Sequence, residues 1–338
     1  MPPSSSPPTP QLFFETINAH QRSGALKAAI ELGLFSAIGN VPATADEIAA
    51  RCGCPRRGIR ILSDYLTILG FLEKADSRYA LTPSSAVFLD RQSPAYCGGA
   101  VSFLLSPVVT EAYTNLAATI RAGRLHTSDQ GTTAPDHPAW LEFARGMGPL
   151  MGPAAAAAAE LAPLDPARDT RVLDISASHG AYGIAFARRY PRAHIVALDW
   201  EAVLVITEEN AGKAGIADRF SKIAGNAFTV DLGRDYDVVL VPNFLHHFNP
   251  ADCTAFLRRV HAALRPGGRV VIIEFVPNPD RVTPPAAAEF SLVMLGSTPE
   301  GDAYTFDELR TMLVDAGFQA PTAHPLPHSA ETAVLASA

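Results

Sequence analysis

Short apolar runs rich in β-branched residues alternate with helical stretches over the second half of the chain. The runs predicted to be strands are Arg171–Ile175, His194–Leu198, Asp237–Val241 and Arg269–Phe275, with a further short strand at Glu331–Leu335. Helical stretches such as Tyr182–Arg189 lie between them. Strands that alternate with helices pair in parallel through right-handed crossovers. The pattern therefore predicts an α/β fold with a doubly wound sheet.

The part of the chain before this pattern predicts a smaller, mostly helical domain. Ile59, Leu62 and Leu66 form the apolar stripe of one helix. Two short strands, Phe71–Lys74 and Arg78–Thr82, follow around a polar turn. Helices followed by such a hairpin are typical of a winged helix. The predicted segments are a disordered tail at 1–11, a winged-helix-like domain at 12–105, a helical linker at 106–165 and an α/β domain at 166–338.

The composition limits the classes of function. Hydrophobic residues make up 48% of the 338 residues and the net charge is -7. The chain can therefore build a core, and its charge gives no drive toward nucleic acid or an anionic membrane. The four cysteines show no zinc-ligand spacing, and no signal peptide or membrane-spanning run is visible. We expect a cytoplasmic protein with reduced thiols and without a metal, a nucleic-acid partner or a membrane partner.

Polar residues follow the first two predicted strands of the sheet. Asp174 to Gly180 form a turn of mostly small residues between a strand and a helix, where a ligand can approach the backbone and the helix N-terminus. A purely structural turn explains this segment about as well. Asp199 and Trp200 come at the end of the second strand, where a carboxylate can bind a ribose diol and a ring can cover adenine. The alternative for Asp199 is a helix cap.

Later strand ends carry an amide, histidines and a carboxylate. Asn226 and Phe228 suit an adenine edge and face, or form only a turn. His246 lies where an imidazole can take a proton at the carboxyl edge of the sheet. We expect the side chain of His247 to diverge from it, so that one of the two faces the site. Glu274 ends the next strand and can orient the imidazole.

A third group of candidates lies in the predicted linker. Phe143, Met147 and Met151 are spaced four residues apart, which predicts one face of a single helix. Such a stripe forms either part of the core or part of a ligand pocket.

In this order, the segments resemble the class I S-adenosylmethionine-dependent methyltransferases. They are most similar to the two-domain small-molecule O-methyltransferases of plant phenylpropanoid and bacterial natural-product pathways. Further segments that resemble that family, including its dimerisation domain, are Ala29–Phe35, Leu69–Leu72, Tyr79–Pro83, Thr298–Gly301, Tyr304-Thr305 and Ala316–Phe318. The resemblance implies a Rossmann-like sheet of seven strands and a homodimer formed through the N-terminal domain.

The resemblance also implies roles for individual residues. His246 would be the general base and Glu274 the acidic residue that supports it. The implied cofactor-binding residues are Asp174, Ser176, Ser178, Gly180, Asp199, Trp200, Asn226, Ala227, Phe228 and Asn243. The implied acceptor pocket contains Phe143, Met147, Met151, His247 and Met294. The cofactor would be S-adenosyl-L-methionine, with S-adenosyl-L-homocysteine as its product.

The chain departs from the family pattern at four positions. Ser176 and Ser178 stand where the family usually has glycines, and Asn226 stands where an aspartate is usual. Ala303 lies near the place where the plant enzymes carry a second acidic partner for the histidine. The serine side chains leave less room for the cofactor than glycines would. With Ala303, the chain lacks the second carboxylate that would strengthen His246 as a base.

Three functions follow as hypotheses. The first is methyl transfer to a hydroxyl of a small aromatic or polyketide-like acceptor. The second keeps the fold but uses the cofactor or the pocket for a non-methylating reaction such as a dehydration or a pericyclic step. The third is a winged-helix DNA-binding regulator, suggested by the basic side chains of Arg56, Arg57 and Arg60.

Overall fold

A computed structural model describes residues 8–338 of the chain. These residues divide into two compact units, one that ends at Leu105 and one formed by Ser106–Ala338. Residues 1–7 of the predicted tail lie outside the described residues, and the first helix begins at Gln11. The helices of the predicted linker, residues 106–165, lie in the second unit.

The first unit is mostly helical and has a small sheet. Its helices are α1 Gln11–Ile17, α2 Ala19–Glu31, α3 Leu34–Ile38, α4 Ala45–Cys52, α5 Arg56–Ile68, α6 Pro83–Phe88 and α7 Val101–Leu104. Its strands are β1 Ala43–Thr44, β2 Leu72–Ala75 and β3 Arg78–Leu81, paired in the order β1-β3-β2. Thr44 and Glu47 form a capping box that begins α4. The winged-helix assignment stays a prediction.

The second unit contains the large sheet. Its helices are α8 Pro107–Thr114, α9 Leu116–Ala122, α10 Ala139–Gly146, α11 Gly148–Leu161, α12 Ala181–Arg189, α13 Glu201–Lys213, α14 Pro250–Ala263, α15 Pro285–Ala288, α16 Phe290–Ser297 and α17 Phe306–Asp315. Its strands are β4 Thr170–Ile175, β5 Ala193–Asp199, β6 Phe220–Ala224, β7 Tyr236–Pro242, β8 Leu264–Glu274, β9 Gln319–Pro325 and β10 Thr332–Ser337.

The large sheet has seven strands in the order β6-β5-β4-β7-β8-β10-β9. The five strands β4 to β8 are parallel to one another, whereas β10 runs antiparallel to both of its neighbours, β8 and β9. Buried side chains fill both faces, because Leu173 packs into one core cluster and Val172 into another. The predicted α/β fold is confirmed. Its topology gathers the ends of β4, β5, β7 and β8 at one edge, where ligands bind in open sheets of this kind.

The Pro266-Gly267-Gly268 segment lies inside β8 instead of before it. The pairing with β7 shifts from Tyr236 opposite Leu264 to Val238 opposite Arg269, so the extra residues of β8 bulge out. Gly267 has a φ of +74°, a conformation that glycine adopts without steric penalty. The strand beyond the bulge keeps its register and brings Glu274 to the carboxyl edge.

The prediction that Phe143, Met147 and Met151 share one helix is wrong. Helix α10 ends at Gly146, α11 begins at Gly148, and Met147 forms the junction between them. A proline in the first turn of α11 favours a new helix start, because its missing N–H is not needed there. The three side chains therefore project from two helices and the junction between them.

No helix in the described part of the chain is both long and apolar enough to cross a bilayer.

Candidate active site

The buried pair of His246 and Glu274 is the centre of the candidate site. Both side chains are almost fully buried, and His246 Nδ1 lies 2.5 Å from Glu274 Oε2. Glu274 Oε1 accepts hydrogen bonds from three consecutive backbone N–H groups, those of Phe244, Leu245 and His246. Because Oε1 accepts from three N–H groups and Oε2 faces the imidazole, we assign Nδ1 of His246 as the donor to Oε2. In neutral His246 the lone pair is then on Nε2.

His247 lies directly against that lone pair. The two Nε2 atoms are 3.2 Å apart and the ring centroids 4.3 Å apart, so the expected divergence of the two side chains is wrong. The reason is the tight 3-10 turn formed by Leu245–His247, in which adjacent side chains do not alternate as they do in a strand. Because Nε2 of neutral His246 carries no proton, Nε2–H of His247 is the donor. Burial, together with His246, lowers the pKa of His247 well below its ordinary value and keeps it neutral.

Aromatic rings surround the two imidazoles. Phe290 of α16 contacts His246 edge to face at 4.9 Å and stacks on Phe275 at 3.9 Å. Trp140 of α10 contacts His247 edge to face at 5.2 Å. None of these three rings was among the predicted site residues, because only their contacts across the fold connect them to the histidines.

The turn after β4 has an unusual backbone. Ser176, Ser178 and Gly180 have φ values of +52°, +53° and +78°, so two serines occupy the left-handed region where glycines are favoured. The backbone N–H of Ser178 donates to Asp199, and its carbonyl accepts from Thr207. Its hydroxyl is buried and has no hydrogen-bond partner.

Asp174 precedes this turn and is fully buried. Its Oδ2 accepts from the backbone N–H of Gly183 at 2.9 Å, whereas its Oδ1 has no partner. A Cβ at position 183 would lie 2.8 Å from Oδ2, so the close approach of α12 requires glycine. Burial raises the pKa of the Asp174 carboxyl to about 8.

Asp199 faces the turn after β4. Its Oδ2 accepts from Ser178 N at 2.8 Å and its Oδ1 accepts from Trp200 N at 2.7 Å. Each oxygen keeps a second lone pair, so the carboxylate can still accept from a diol. Burial raises the pKa of Asp199 to about 6. The ring of Trp200 packs in a small cluster with Ala144 of α10 and Val203 of α13.

Asn226 forms the turn after β6, and its Oδ1 accepts from Phe228 N at 2.9 Å. The ring of Phe228 packs among three other phenylalanines and contacts Phe248 at 4.7 Å. Ala227 between them is buried in the same core cluster. The structure therefore gives this segment a packing role in addition to the predicted contact with adenine.

The predicted pocket residues lie in different places. Phe143 stacks on His179, with the ring centroids 6.0 Å apart and the rings 18° from parallel. Burial lowers the pKa of His179 to about 4, so this imidazole is neutral. Met147 and Met294 are buried, and Met151 packs at the side of a core cluster.

Glu331 is a buried carboxylate that the sequence analysis missed as a site residue. Its Oε1 accepts from Asn243 Nδ2 at 2.7 Å, and its Oε2 accepts from Ser329 Oγ at 3.0 Å. The hydroxyl of Tyr182 lies 3.5 Å from Oε2. Burial raises the pKa of Glu331, and Glu274 adds to this increase. The only signal for Glu331 in the sequence was its position as a charged residue at the start of an apolar run, which forms β10.

The electrostatics of this edge favour a cationic ligand. Asp174, Asp199, Glu274 and Glu331 are buried, and among the described residues no Lys or Arg side chain forms an ion pair with any of them. Buried atoms of Asp174, Ser178, Asn243 and His247 at the same edge have no hydrogen-bond partner. Burial raises the pKa values of Asp174, Asp199 and Glu331, and a positively charged ligand with several hydrogen-bonding groups, as a sulfonium nucleoside has, would favour their ionised forms. The described residues contain no cluster that could hold a metal ion.

Comparison with known proteins identifies the family. The model of the O-methyltransferase domain matches residues 113–319, and that of the O-methyltransferase dimerisation domain matches residues 14–91. The chain is 31% identical to the 3-hydroxy-5-methyl-1-naphthoate 3-O-methyltransferase of Streptomyces sahachiroi, over 93% of this chain and 92% of that protein. It is 30% identical to the tetracenomycin polyketide synthesis 8-O-methyl transferase TcmO of Streptomyces glaucescens, over 88% and 87%.

A solved structure is similar over the whole chain. A candidate O-methyltransferase from Nostoc punctiforme is 47% identical, with a TM-score of 0.94 over 98% of this chain and 100% of that one. Other structures of this fold contain S-adenosylmethionine or S-adenosylhomocysteine. The chain belongs to the S-adenosylmethionine-dependent O-methyltransferases, and the predicted family, enzyme class and cofactor are confirmed. Enzymes of this family methylate hydroxyl groups of small molecules.

We expect Ser178→Gly to raise the free energy of unfolding of the ligand-free chain by about 1 kcal/mol. The substitution relieves left-handed strain and removes a buried hydroxyl without a partner, and these gains exceed the added chain entropy of glycine. Urea unfolding measures the change. Ser291→Gly, in helix α16, is the matched control and should lower stability by about 0.5–1 kcal/mol. A loss of stability in both variants would contradict the assignment of strain to Ser178.

The stability of the ligand-free chain should fall as the pH rises from about 6.5 to about 8. Burial raises the pKa of Asp174 to about 8, so in this range the folded chain holds a proton that the unfolded chain has released, whereas the lowered pKa values of His179 and His247 act in the opposite direction only below this range. Urea midpoints at several pH values measure the slope. Asp174→Asn should flatten it, whereas Asp169→Asn on the surface should leave it unchanged. An unchanged slope in Asp174→Asn would contradict the prediction.

Proposed function

We propose that this enzyme transfers a methyl group to a hydroxyl of a small aromatic or polyketide-like acceptor, with His246 as the general base. The observation that supports the proposal most directly is the buried contact between His246 and Glu274, which directs the lone pair of a neutral imidazole to Nε2. An imidazole with a fixed tautomer can take a proton from a hydroxyl as that oxygen becomes a nucleophile.

Glu274, His246 and His247 would each have a distinct role in methyl transfer. S-adenosylmethionine supplies an electrophilic methyl group on a positively charged sulfur. Glu274 holds His246 through Nδ1 and stabilises the imidazolium once Nε2 has taken the acceptor's proton. His247 donates to the same Nε2, so an acceptor hydroxyl must replace that hydrogen bond when it arrives. Positioning the hydroxyl for in-line attack supplies much of the remaining acceleration.

The cofactor site would lie along the turn after β4 and the end of β5. Asp199 would accept from the ribose hydroxyls, and Trp200 would lie near the adenine. Asp174, Ser176, Ser178 and Gly180 would surround the amino-acid end, where the unpartnered oxygens of Asp174 and Ser178 supply hydrogen-bonding capacity. Asn226, Ala227 and Phe228 would face the adenine.

The proposed class of acceptor follows from the rings around the histidines. Trp140 contacts the imidazole of His247, Phe290 contacts that of His246, and Phe275 stacks on Phe290. Aromatic acceptors stack or pack edge to face on such rings. The names of two relatives, a naphthoate 3-O-methyltransferase and a transferase of tetracenomycin polyketide synthesis, agree with an aromatic acceptor.

Calorimetry and a transfer assay test the proposal together. We expect S-adenosylhomocysteine to bind at micromolar concentration, and radiolabel from methyl-labelled S-adenosylmethionine to appear in hydroxynaphthoates or hydroxyanthraquinones. Binding with no label in any acceptor, together with conversion of an acceptor at unchanged cofactor concentration, would favour the non-methylating alternative. Absence of binding would overturn the proposal.

We also propose that the chain forms a homodimer through its dimerisation domain. Helix α1 has no buried residue, and Leu12, Phe13, Phe14 and Ile17 are each more than half exposed. Phe13→Glu should therefore convert a dimer of the wild-type chain into a monomer, because a charge in an apolar interface is not solvated. Light scattering after size-exclusion chromatography measures the mass. A monomeric wild-type chain would contradict the proposal.

A further inference from the structure

Glu331 lies at the same edge of the sheet as Glu274 but does not contact the imidazole. Thr332, the next residue, pairs directly with Glu274 across β10 and β8. The side chain of Glu331 is 4% exposed and is directed to Asn243, which follows β7. The antiparallel strand β10 thus adds a carboxylate to an edge that is otherwise built from parallel strands.

This carboxylate determines how the amide of Asn243 is oriented. Both oxygens of Glu331 accept hydrogen bonds, Oε2 from Ser329 and Oε1 from Asn243, so the amide presents its Nδ2 to Glu331. The carbonyl oxygen of the amide is then directed away from Glu331. It is buried and has no partner. Asn243 also has a φ of +51°, a left-handed conformation that asparagine adopts more readily than most residues.

The unpartnered Oδ1 of Asn243 has a counterpart on the neighbouring strand. Asp174 of β4 also has a buried oxygen without a partner, and β4 pairs with β7 with Asp174 opposite Leu240. Two orphaned acceptor oxygens among buried carboxylates are suited to an ammonium group, which brings three donors and a positive charge.

We propose that Glu331 is a positioning residue, which orients Asn243 so that its Oδ1 accepts a hydrogen bond from the ammonium group of the cofactor's amino-acid end. The inference rests on the proposed cofactor site around Asp174. The role of Glu331 is indirect, since it acts through the amide of Asn243. In Glu331→Gln the new carboxamide can present either its oxygen or its NH2 group to Asn243, so the orientation of the Asn243 amide is no longer fixed.

A purely structural role for Glu331 is the competing explanation that the test must separate. The backbone of Glu331 closes the turn between β9 and β10, with its carbonyl accepting from Leu326 N and its N–H donating to Ser329 Oγ. Glutamine keeps these backbone contacts and the volume of the side chain. A structural defect would weaken all ligands alike, whereas a positioning defect affects only ligands that carry the ammonium group.

Calorimetry with two ligands makes this distinction. The ligands are S-adenosylhomocysteine and its des-amino analogue, which keeps the adenosine, the thioether and the carboxylate but lacks the ammonium group. We expect Glu331→Gln to raise the Kd of S-adenosylhomocysteine about 10-fold to 100-fold, the range for a hydrogen bond to a charged group. The Kd of the des-amino analogue should change less than about twofold. The matched control Glu160→Gln, at a surface ion pair with Arg189, should change neither.

A double-mutant cycle with Asn243→Gly tests whether Glu331 acts through the amide. Glycine accepts the positive φ at this position and removes only the side chain. If Glu331 orients Asn243, adding Glu331→Gln to Asn243→Gly should change the Kd of S-adenosylhomocysteine less than about threefold. Fully additive effects, an unchanged Kd in Glu331→Gln, or equal weakening of both ligands would each overturn the inference. If the wild-type chain binds neither ligand, it is the proposed function that fails.

Discussion

His246→Gln should lower the rate of methyl transfer by about 10²–10⁴-fold, the usual contribution of a general base. Glutamine fills a similar volume and can hydrogen-bond to Glu274, but it cannot take a proton from an acceptor hydroxyl. The geometry behind the prediction is the 2.5 Å contact of His246 Nδ1 with Glu274, which leaves Nε2 as the basic atom. The measurement is single-turnover transfer of labelled methyl to a hydroxynaphthoate or hydroxyanthraquinone that the wild-type enzyme methylates.

Affinity for S-adenosylhomocysteine separates a lost base from a damaged site. We expect its Kd in His246→Gln to stay within about twofold of the wild-type value, because no cofactor contact is assigned to His246. His261→Gln on α14, where the ring packs against Phe318, is the matched control and should keep the wild-type rate. An unchanged rate in His246→Gln would show that another group, or solvent, takes the proton.

Glu274→Ala should lower the free energy of unfolding of the second unit by about 3–5 kcal/mol, because four buried N–H donors lose their acceptor at a cost of about 1 kcal/mol each. The substitution leaves the N–H groups of Phe244, Leu245 and His246 without their acceptor, and it leaves the imidazole without its partner. A change of this size should lower the midpoint of thermal unfolding by about 10 °C.

A surface carboxylate with a similar pattern of bonds provides the comparison. Glu308 accepts from Thr305 N in the capping box of α17 and is about two-fifths exposed. Glu308→Ala should lower stability by only about 1 kcal/mol, because water replaces the lost hydrogen bonds. Equal losses of stability in the two variants would contradict this prediction. They would mean that water reaches the N–H groups around Glu274 and replaces its hydrogen bonds.

The sheet and the histidine–glutamate pair were predictable because both depend on local patterns. Buried parallel strands such as β7 are continuous apolar runs, and a chain that alternates them with helices has few topologies available. Once the order of the strands is known, residues that follow neighbouring strands must meet at one edge. His246 after β7 and Glu274 at the end of β8 follow directly from this rule.

The features that the sequence did not predict depend on turns or on distant contacts. The convergence of His246 and His247 requires a 3-10 turn, which spacing alone does not distinguish from a strand end. Glu331 reaches Asn243 from 88 residues away, and only the antiparallel insertion of β10 brings the two together. Serines at usual glycine positions 176 and 178 were noted in the sequence, but their positive φ values were not predicted because serine rarely adopts them.

The junction at Met147 determines which neighbours the residues on each side of it meet. Before it, α10 runs against α13 and places Trp140 and Phe143 next to imidazole rings; after it, α11 turns to pack on α12 beneath the sheet. A single straight helix through this stretch could not pack against both α13 and α12. Gly146, Gly148 and Pro149 at this junction thus determine where the rings of Trp140 and Phe143 lie relative to the imidazoles of His247 and His179. Strong helix formers at these three positions should join α10 to α11 and displace both rings, and at position 148 a Cβ would itself lie 3.4 Å from His179.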